Sequence, residues 1–383
     1  MPWRIVTMKE ERLKFVLDAN NPQTKLTFAE LCRCNNISTK TGYKWLKRYH
    51  KKGEEGLVDL PRTPISQPTK ISTDKEQKVI AIREQYPKWG PKKIYAEMLN
   101  EFGNSETPSE TSIGNILKKH NLSVPRYYRR HVAATAPLSA CLEPNDTWLY
   151  DFKGWFLTGD GSKCEPLTIT DGFSRFLIEC EHMNRKRSID VWRVLERAFL
   201  EYGLPNKMRS DNGPPFASLA VGRLSSLAIK LIKLGITPEW ITPGCPQENG
   251  RHERFHLTLK NEAVSPPAMT VNLQQEKFKQ FKTYFNNKRP HEALQQKTPA
   301  SIYIPSKRVW DGKFRSPEYS VEYEVRKVGR SGNITWKGVP FFISEMLERE
   351  YVGIKEIEMG IMGISYGPIL LGKIDLNKGF KRV

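Results

Sequence analysis

The chain has 383 residues, with 61 Lys and Arg against 42 Asp and Glu, for a formal charge of +19. At 38% hydrophobic and 27% charged, its composition is that of a folded protein with about two to four domains and excludes full-length disorder. No apolar run approaches the roughly 18 residues a membrane span needs, the first residues lack a signal-peptide apolar region, and six Cys do not read as a disulfide framework. A cytoplasmic protein with no membrane partner is therefore expected.

The charge is unevenly spread. Residues 1–140 carry 25 basic and 14 acidic side chains, a net +11, whereas 141–300 carry 22 and 18, and 301–383 carry 14 and 10. A basic first third points to a polyanionic partner. Three polar, Pro-bearing stretches punctuate the chain, around Leu60 to Lys70, Ala133 to Asn145 and Pro305 to Pro317. Pro blocks helix continuation there, so each reads as a linker.

Residues 1–58 read as a three-helix domain. A first helix runs through Leu13, Phe15 and Val16, and Phe28 to Cys32 forms a short second. Ser38 is a good N-cap for a third, from Thr39 to about Lys51, with Trp45, Leu46 and Tyr49 on its apolar stripe. Ser38, Thr39, Lys40, Tyr43, Lys44, Lys47 and Arg48 lie off that stripe. Helix, tight turn and capped basic helix is the helix-turn-helix plan, whose last helix enters the DNA major groove. The same pattern also fits a three-helix bundle with a solvated basic face.

Residues 70–131 repeat the plan. Helices are expected over Asp74 to Tyr86, from Pro91, where a missing N–H costs little, and after Ser109. The basic-aromatic run Arg126-Tyr-Tyr-Arg129-Arg130 suits phosphate or groove contact, or an ordinary solvated tail.

Residues 140–303 change character. Thr147 to Phe152, Leu167 to Asp171 and Phe176 to Cys180 read as a three-stranded antiparallel meander. An amphipathic helix follows from Ser188 to Tyr202. A strand from Lys207 to Asp211, a helix from Leu224 to Leu234, a strand from Ile236 to Ile241 and a helix from about Arg251 complete a mixed sheet covered by helices. Residues 315–383 alternate as short strands divided by glycines: Tyr319 to Val328, Asn333 to Trp336, Val339 to Ile343, Tyr351 to Ile357, Ile361 to Tyr366 and Ile369 to Ile374. They are expected to form a small β-barrel-like domain with a DNA-binding, protomer-binding or scaffolding role.

Three acids stand out. Asp151 interrupts an apolar strand, where an unpaired carboxylate is costly to bury. Asp211 closes a later strand before Asn212-Gly213. Glu253 opens a helix after a loop rich in Gly, Pro and Asn. Three convergent carboxylates suit two hard divalent cations, Mg²⁺ or Mn²⁺, which together support in-line displacement at a phosphodiester. Singly, Asp211 also fits a turn residue and Glu253 an exposed helix-start acid. Glu248 is a rival to Glu253, and Asp171 reads as a hairpin residue.

These segments resemble a known family. Asp151 in Trp-Leu-Tyr-Asp-Phe-Lys-Gly, Ser210-Asp-Asn-Gly-Pro-Pro-Phe, and Pro243-Gly-Cys-Pro-Gln-Glu-Asn-Gly-Arg-His-Glu253-Arg-Phe-His are similar to the core of retroviral-integrase-like DDE transposases of bacterial insertion sequences. Arg289-Pro-His-Glu-Ala-Leu and Thr298-Pro-Ala-Ser-Ile-Tyr match that family's style. The resemblance implies an RNase H-like fold, with Asp151, Asp211 and Glu253 as catalytic, metal-binding triad. The gap from Asp211 to Glu253 is several residues longer than usual in the family, and an insertion around Ala217 to Ser226 would absorb it. Cys32-Arg-Cys34 has no His pair at ligand spacing, so no zinc is expected, and Cys32 reads as core.

Lys260 is placed to hold a DNA phosphate, with His256 a weaker candidate. Arg251, Arg254 and Lys153 are further DNA contacts, Lys153 on the expectation that it shares a strand face with Asp151. The reading is an α/β protein: helix-turn-helix modules, an RNase H-like core and a β-rich end. It implies a transposase that binds terminal inverted repeats and cleaves and joins double-stranded DNA as a homo-oligomer near the nucleoid. A non-catalytic regulator derived from a transposase, or a nuclease without strand transfer, are the alternatives.

Overall fold

The computed structural model describes residues 7–60, 71–123, 138–375 and 379–382. The chain divides into two compact units, Met1–Lys70 and Ile71–Val383.

In the first unit, α1 (Met8–Asn20), α2 (Phe28–Cys34) and α3 (Thr39–Lys52) enclose Phe15, Val16, Leu31, Cys32, Trp45 and Leu57. Thr7 and Thr27 form capping boxes with Glu10 and Glu30, and the Ser38 hydroxyl accepts from Thr41 N at 3.2 Å. A Cβ on Gly42 would meet Cys32 Sγ at 2.6 Å, so α3 crosses α2 where only glycine fits. Arg12 lies 3.9 Å over the Trp45 ring and donates to Leu57 O. Ser38, Thr39, Lys40, Tyr43, Lys44 and Lys47 are exposed, and Arg48 is half-buried.

The second unit opens with α4 (Thr73–Gln85), α5 (Pro91–Phe102) and α6 (Glu110–Lys119), around Val79, Ile82, Trp89, Ile94, Met98 and Ile113. Pro91 and the Ser109 cap stand where the sequence places them.

The central sheet is formed by β1 (Thr147–Phe152), β4 (Pro166–Asp171), β5 (Leu177–His182), β6 (Lys207–Ser210) and β7 (Thr237–Trp240), in the order β5-β4-β1-β6-β7. The first three pair antiparallel and β6 and β7 join parallel. A short hairpin, β2 (Phe156–Leu157) with β3 (Lys163–Cys164), interrupts the meander. Side chains alternate across the sheet. Leu167 and Ile169 pack with α7 (Ser188–Tyr202) and α8 (Ser226–Lys233), while Thr168 and Thr170 face α9 (Gly250–Leu259). Behind α9 lies α10 (Val271–Asn287), whose Phe278, Phe281 and Phe285 pack on Phe255 and Leu259.

Helix α10 has no counterpart among the sequence expectations, although Val271, Phe278 and Phe285 recur at heptad spacing. It carries the helical module: Trp89 Nε1 donates to Tyr284 OH at 2.7 Å, and Tyr86 stacks on Trp89 and on Tyr284.

The C-terminal strands are β8 (Glu324–Lys327), β9 (Asn333–Trp336), β10 (Val339–Phe342), β11 (Tyr351–Glu358), β12 (Ile361–Tyr366), β13 (Ile369–Asp375) and β14 (Gly379–Arg382). They form an antiparallel sheet in the order β14-β13-β12-β11-β8, with β9 and β10 as a separate hairpin. Among the described residues, no strand pairing closes this sheet into the expected barrel.

The segment around Ala217 to Ser226 packs against the C-terminal sheet. Val221, Leu224, Ala228 and Ile232 share a core with Val352, Ile354, Ile364 and Leu371 of this sheet. Gly222, at φ +64°, lies where a Cβ would meet Leu371 Cδ2 at 2.9 Å. This segment is the seat of the C-terminal sheet.

Candidate active site

Strands β1 and β6 pair with Thr147 opposite Lys207, Trp148 opposite Met208 and Leu149 opposite Arg209. The same register, carried two residues further, brings Asp151 level with Asp211 at the carboxyl ends of adjacent parallel strands. Asp211 has left the ladder, and its Oδ1 accepts from Gly213 N at 3.0 Å. A Cβ on Gly213 would stand 3.2 Å from Asp211 Oδ2, so any larger residue there would push the carboxylate by a few tenths of an ångström.

Asp151 Oδ1 accepts from Phe152 N at 2.7 Å, and Oδ2 accepts from Asn249 Nδ2 at 3.4 Å. Burial, then the Asp211 charge, push the Asp151 carboxyl up to about 7; Glu253 adds to the rise, while the Phe152 N–H and Lys186 oppose it. Asp211 and Glu253 thus both act electrostatically on Asp151. Among the described residues, no three His, Cys, Asp or Glu side chains gather closely enough to ligate a metal ion. Asn249 Oδ1, beside Asp151, is buried without a hydrogen-bond partner.

Glu253 is exposed in the first turn of α9, and its neighbour His252 seats that helix on the sheet. Thr168 Oγ1 lies 3.1 Å from Asp151 O, 2.7 Å from His252 Nε2 and 2.8 Å from His256 Nε2. A hydroxyl has one proton and two lone pairs. It donates to the Asp151 carbonyl and accepts an Nε2–H from each histidine, which assigns both tautomers. His252 Nδ1 then accepts from Thr170 Oγ1 at 3.1 Å. Burial, then His256, hold His252 well below its ordinary value, and burial, then Lys153, hold His256 down to about 4.

His256 is accordingly a neutral hydrogen-bonding residue and not the phosphate-holding cation the sequence offers. Glu248 is fixed as well: it accepts from Thr242 N at 2.7 Å and from Thr242 Oγ1 at 3.1 Å, which turns it to its own loop. Asp171 is a hairpin residue, accepting from Ser174 and Asn145 N–H groups.

Lys153 follows the end of β1. Burial, then Lys260, lower its ammonium, so the two lysines lie close together. Lys260, Arg251 and Arg254 are exposed, and Arg251 donates to Gly172 O at 3.2 Å. Arg126, Arg129 and Arg130 lie outside the described residues. Sequence reasoning missed Lys186, which opposes the Asp151 shift, stands 2.6 Å from Glu165 and lies 4.6 Å from the Phe152 ring. The basic run Arg185-Lys186-Arg187 after β5 is the one signal it leaves.

The integrase core domain matches residues 142–246, a second integrase core family matches 234–299, and homeodomain-like domains match 9–58 and 41–117. The chain is 24% identical over 238 residues to an uncharacterized 39.2 kDa protein of insertion element IS476 from Xanthomonas euvesicatoria, covering 61% of this chain and 66% of that one. It is 27% identical over 190 residues to a transposase for insertion sequence element IS904 from Lactococcus lactis subsp. lactis, covering 48% of this chain and 68% of that one. The chain thus carries homeodomain-like and integrase core domains and is similar to the transposases of insertion elements. The chain is also similar to the HTLV-2 integrase catalytic core domain in complex with magnesium, at 18% identity and a TM-score of 0.35, over 43% of this chain and 100% of that one. None of its described helices is long and apolar enough to cross a membrane.

Proposed function

We propose that Asp151, Asp211 and Glu253 form the centre at which this chain hydrolyses phosphodiesters at the ends of a mobile element and joins the 3′-hydroxyls to target DNA. The observation that carries the proposal is the parallel pairing of β1 with β6, whose register brings Asp151 level with Asp211, so that burial and the Asp211 charge raise the Asp151 carboxyl. The paired Asp151 and Asp211 carboxylates, beside the orphaned Asn249 Oδ1, are oxygen donors of the kind hard divalent cations take, and Glu253 would have to close on them to complete the set. The three carboxylates would hold two Mg²⁺ or Mn²⁺ ions. Bound there, such ions supply Lewis-acid stabilisation of the phosphodiester and lower the pKa of the attacking oxygen's proton.

The chain's own residues set up that chemistry. The strand ladder fixes Asp151 and Asp211 side by side, and His252 anchors the helix that offers Glu253. Lys153 and Lys260 hold DNA phosphate beside the acids. Ser38, Thr39, Lys40, Tyr43, Lys44, Lys47 and Arg48 face a DNA groove at the terminal inverted repeats. Two element ends must be handled together, so the working form is a homo-oligomer on DNA, acting in the bacterial cytoplasm.

The test uses purified protein, Mg²⁺, a labelled duplex taken from the DNA flanking the coding region, and a target plasmid, with Asp151→Asn alongside. Cleaved and joined products that require Asp151 are expected. Salt-sensitive binding without cleavage would replace the proposal with a regulator, and cleavage without joining would replace it with a nuclease.

A further inference from the structure

A second charged cluster lies between the helical module on α4–α6 and the sheet. Arg175, in the β4–β5 turn, donates to Gly172 O at 2.7 Å, and Arg251 donates to the same carbonyl at 3.2 Å, so two guanidinium groups converge on one acceptor. Burial, then Arg251, lower Arg175 to about 10, with Arg254 acting the same way. Beyond Arg175 lies His291, whose ring packs 4.7 Å from Phe285 and whose Nε2 is buried without a hydrogen-bond partner among the described residues. Burial first, then Arg289, Lys93 and Arg175, hold His291 down to about 3. Lys93, on α5, is half-buried and lowered to about 7 by burial and then by Arg289.

The anions there act only weakly against this repulsion: Cys141 and Asp171 raise Arg175, Asp171 being held by Ser174 and Asn145 N–H groups, and Glu262 and Glu292 raise Lys93 while paired elsewhere. Glu262 pairs with Arg289 at 3.2 Å, and Glu292 pairs with Lys92. Among the described residues, no ion pair within 4.0 Å forms at Lys93, Arg175, Arg251 or Arg254. Cations that repel one another while partly withdrawn from water destabilise the free protein unless an anion completes the cluster. The cluster is also directional. It starts on the helical module at Lys93, passes His291 and Arg175, and ends at Arg251 and Arg254, which flank Glu253 on α9.

We propose that Lys93, His291, Arg175, Arg251 and Arg254 form a continuous track for the phosphate backbone of one DNA strand, leading from the second helical module to the acidic centre. The proposal rests on the DNA-processing reading above and adds a path and three residues, Lys93, Arg175 and His291, to it. His291 Nε2 is shut off from solvent, so His291 lines the track without touching the phosphate, and a phosphate beside Lys93 restores the full charge of its ammonium.

The test is DNA binding by the full chain in EDTA at about pH 6, where Lys93 is charged, with a labelled duplex of arbitrary sequence over a salt series. Each lost phosphate contact lowers the slope of log K against log salt by about 0.9, or about eightfold in affinity at 0.1 M salt relative to 1 M. Lys93→Met and the exposed Arg254→Gln are each expected to show that loss, and Lys93→Met to keep or raise Tm, because it removes a repelled cation. A wild-type slope in both variants, while Lys47→Gln still lowers it, overturns the track and leaves the DNA-processing reading standing. A fall in Tm for Lys93→Met with an unchanged slope makes Lys93 a structural residue and also overturns the track. Failure of the wild type to bind the duplex overturns both.

Discussion

Thr168→Val tests how the third acid is held. Valine keeps the shape of threonine but removes the hydroxyl that joins Asp151 O, His252 Nε2 and His256 Nε2 at 3.1, 2.7 and 2.8 Å. His256 is half-buried and can turn to water, but His252 is 1% exposed, so its N–H is left unpaired. One orphaned buried donor, with the net loss of its neighbours, amounts to about 2–3 kcal/mol. At roughly 2–4 °C per kcal/mol this lowers Tm by about 5–10 °C. Scanning calorimetry on the full chain reads the loss, and a double-mutant cycle with His252→Phe assigns it. Because the second substitution removes the orphan itself, the double variant should recover about 1–2 kcal/mol of the summed losses. Losses additive to within about 0.5 kcal/mol would refute the tautomers and the junction drawn from them.

Three further outcomes follow from the geometry. Gly213→Ala places a methyl 3.2 Å from Asp211 Oδ2 and should reduce Mg²⁺-dependent cleavage at least tenfold, about 1.4 kcal/mol, with DNA affinity unchanged; equal kcat in a single-turnover assay would contradict the role of that turn. Tyr284→Phe leaves the buried Trp89 indole N–H without its 2.7 Å acceptor and should destabilise the chain by about 1–3 kcal/mol in urea melts. His256 titrates at about 4 in the fold against an ordinary 6.5, so its contribution is complete above pH 6.5 and is lost as pH falls toward 4, at up to about 1.4 kcal/mol per pH unit. Asp151, raised to about 7, works oppositely in that window, so the effect is read as the difference in Tm between wild type and His256→Gln. A pH-independent difference would exclude a neutral, buried His256.

The central strands were legible because alternation and turn residues speak locally: β1, β9, β12 and α7 have the expected bounds. Helix α10 was equally periodic but carries few apolar positions besides its phenylalanines, so its pattern is diluted by Lys and Gln. Of the candidate site, Asp151 was conspicuous because a lone carboxylate among aromatics breaks a pattern. Thr168, Asn249 and Lys186 were not, because their roles arise from contacts across 17 to 98 residues of chain. His256 misled for the same reason: helical spacing shows which residues share a face, not that burial beneath Lys153 removes the charge.

The seat around Gly222 makes two distant stretches of sequence inseparable. Val221 and Leu224 are covered only because the C-terminal sheet brings Ile354, Ile364 and Leu371 against them. Shortening the loop while keeping the sheet, or truncating the sheet while keeping the loop, bares an apolar face of the kind that drives aggregation. The two are therefore a single heritable unit. A shorter relative should lack both, and one that retains either should retain the other.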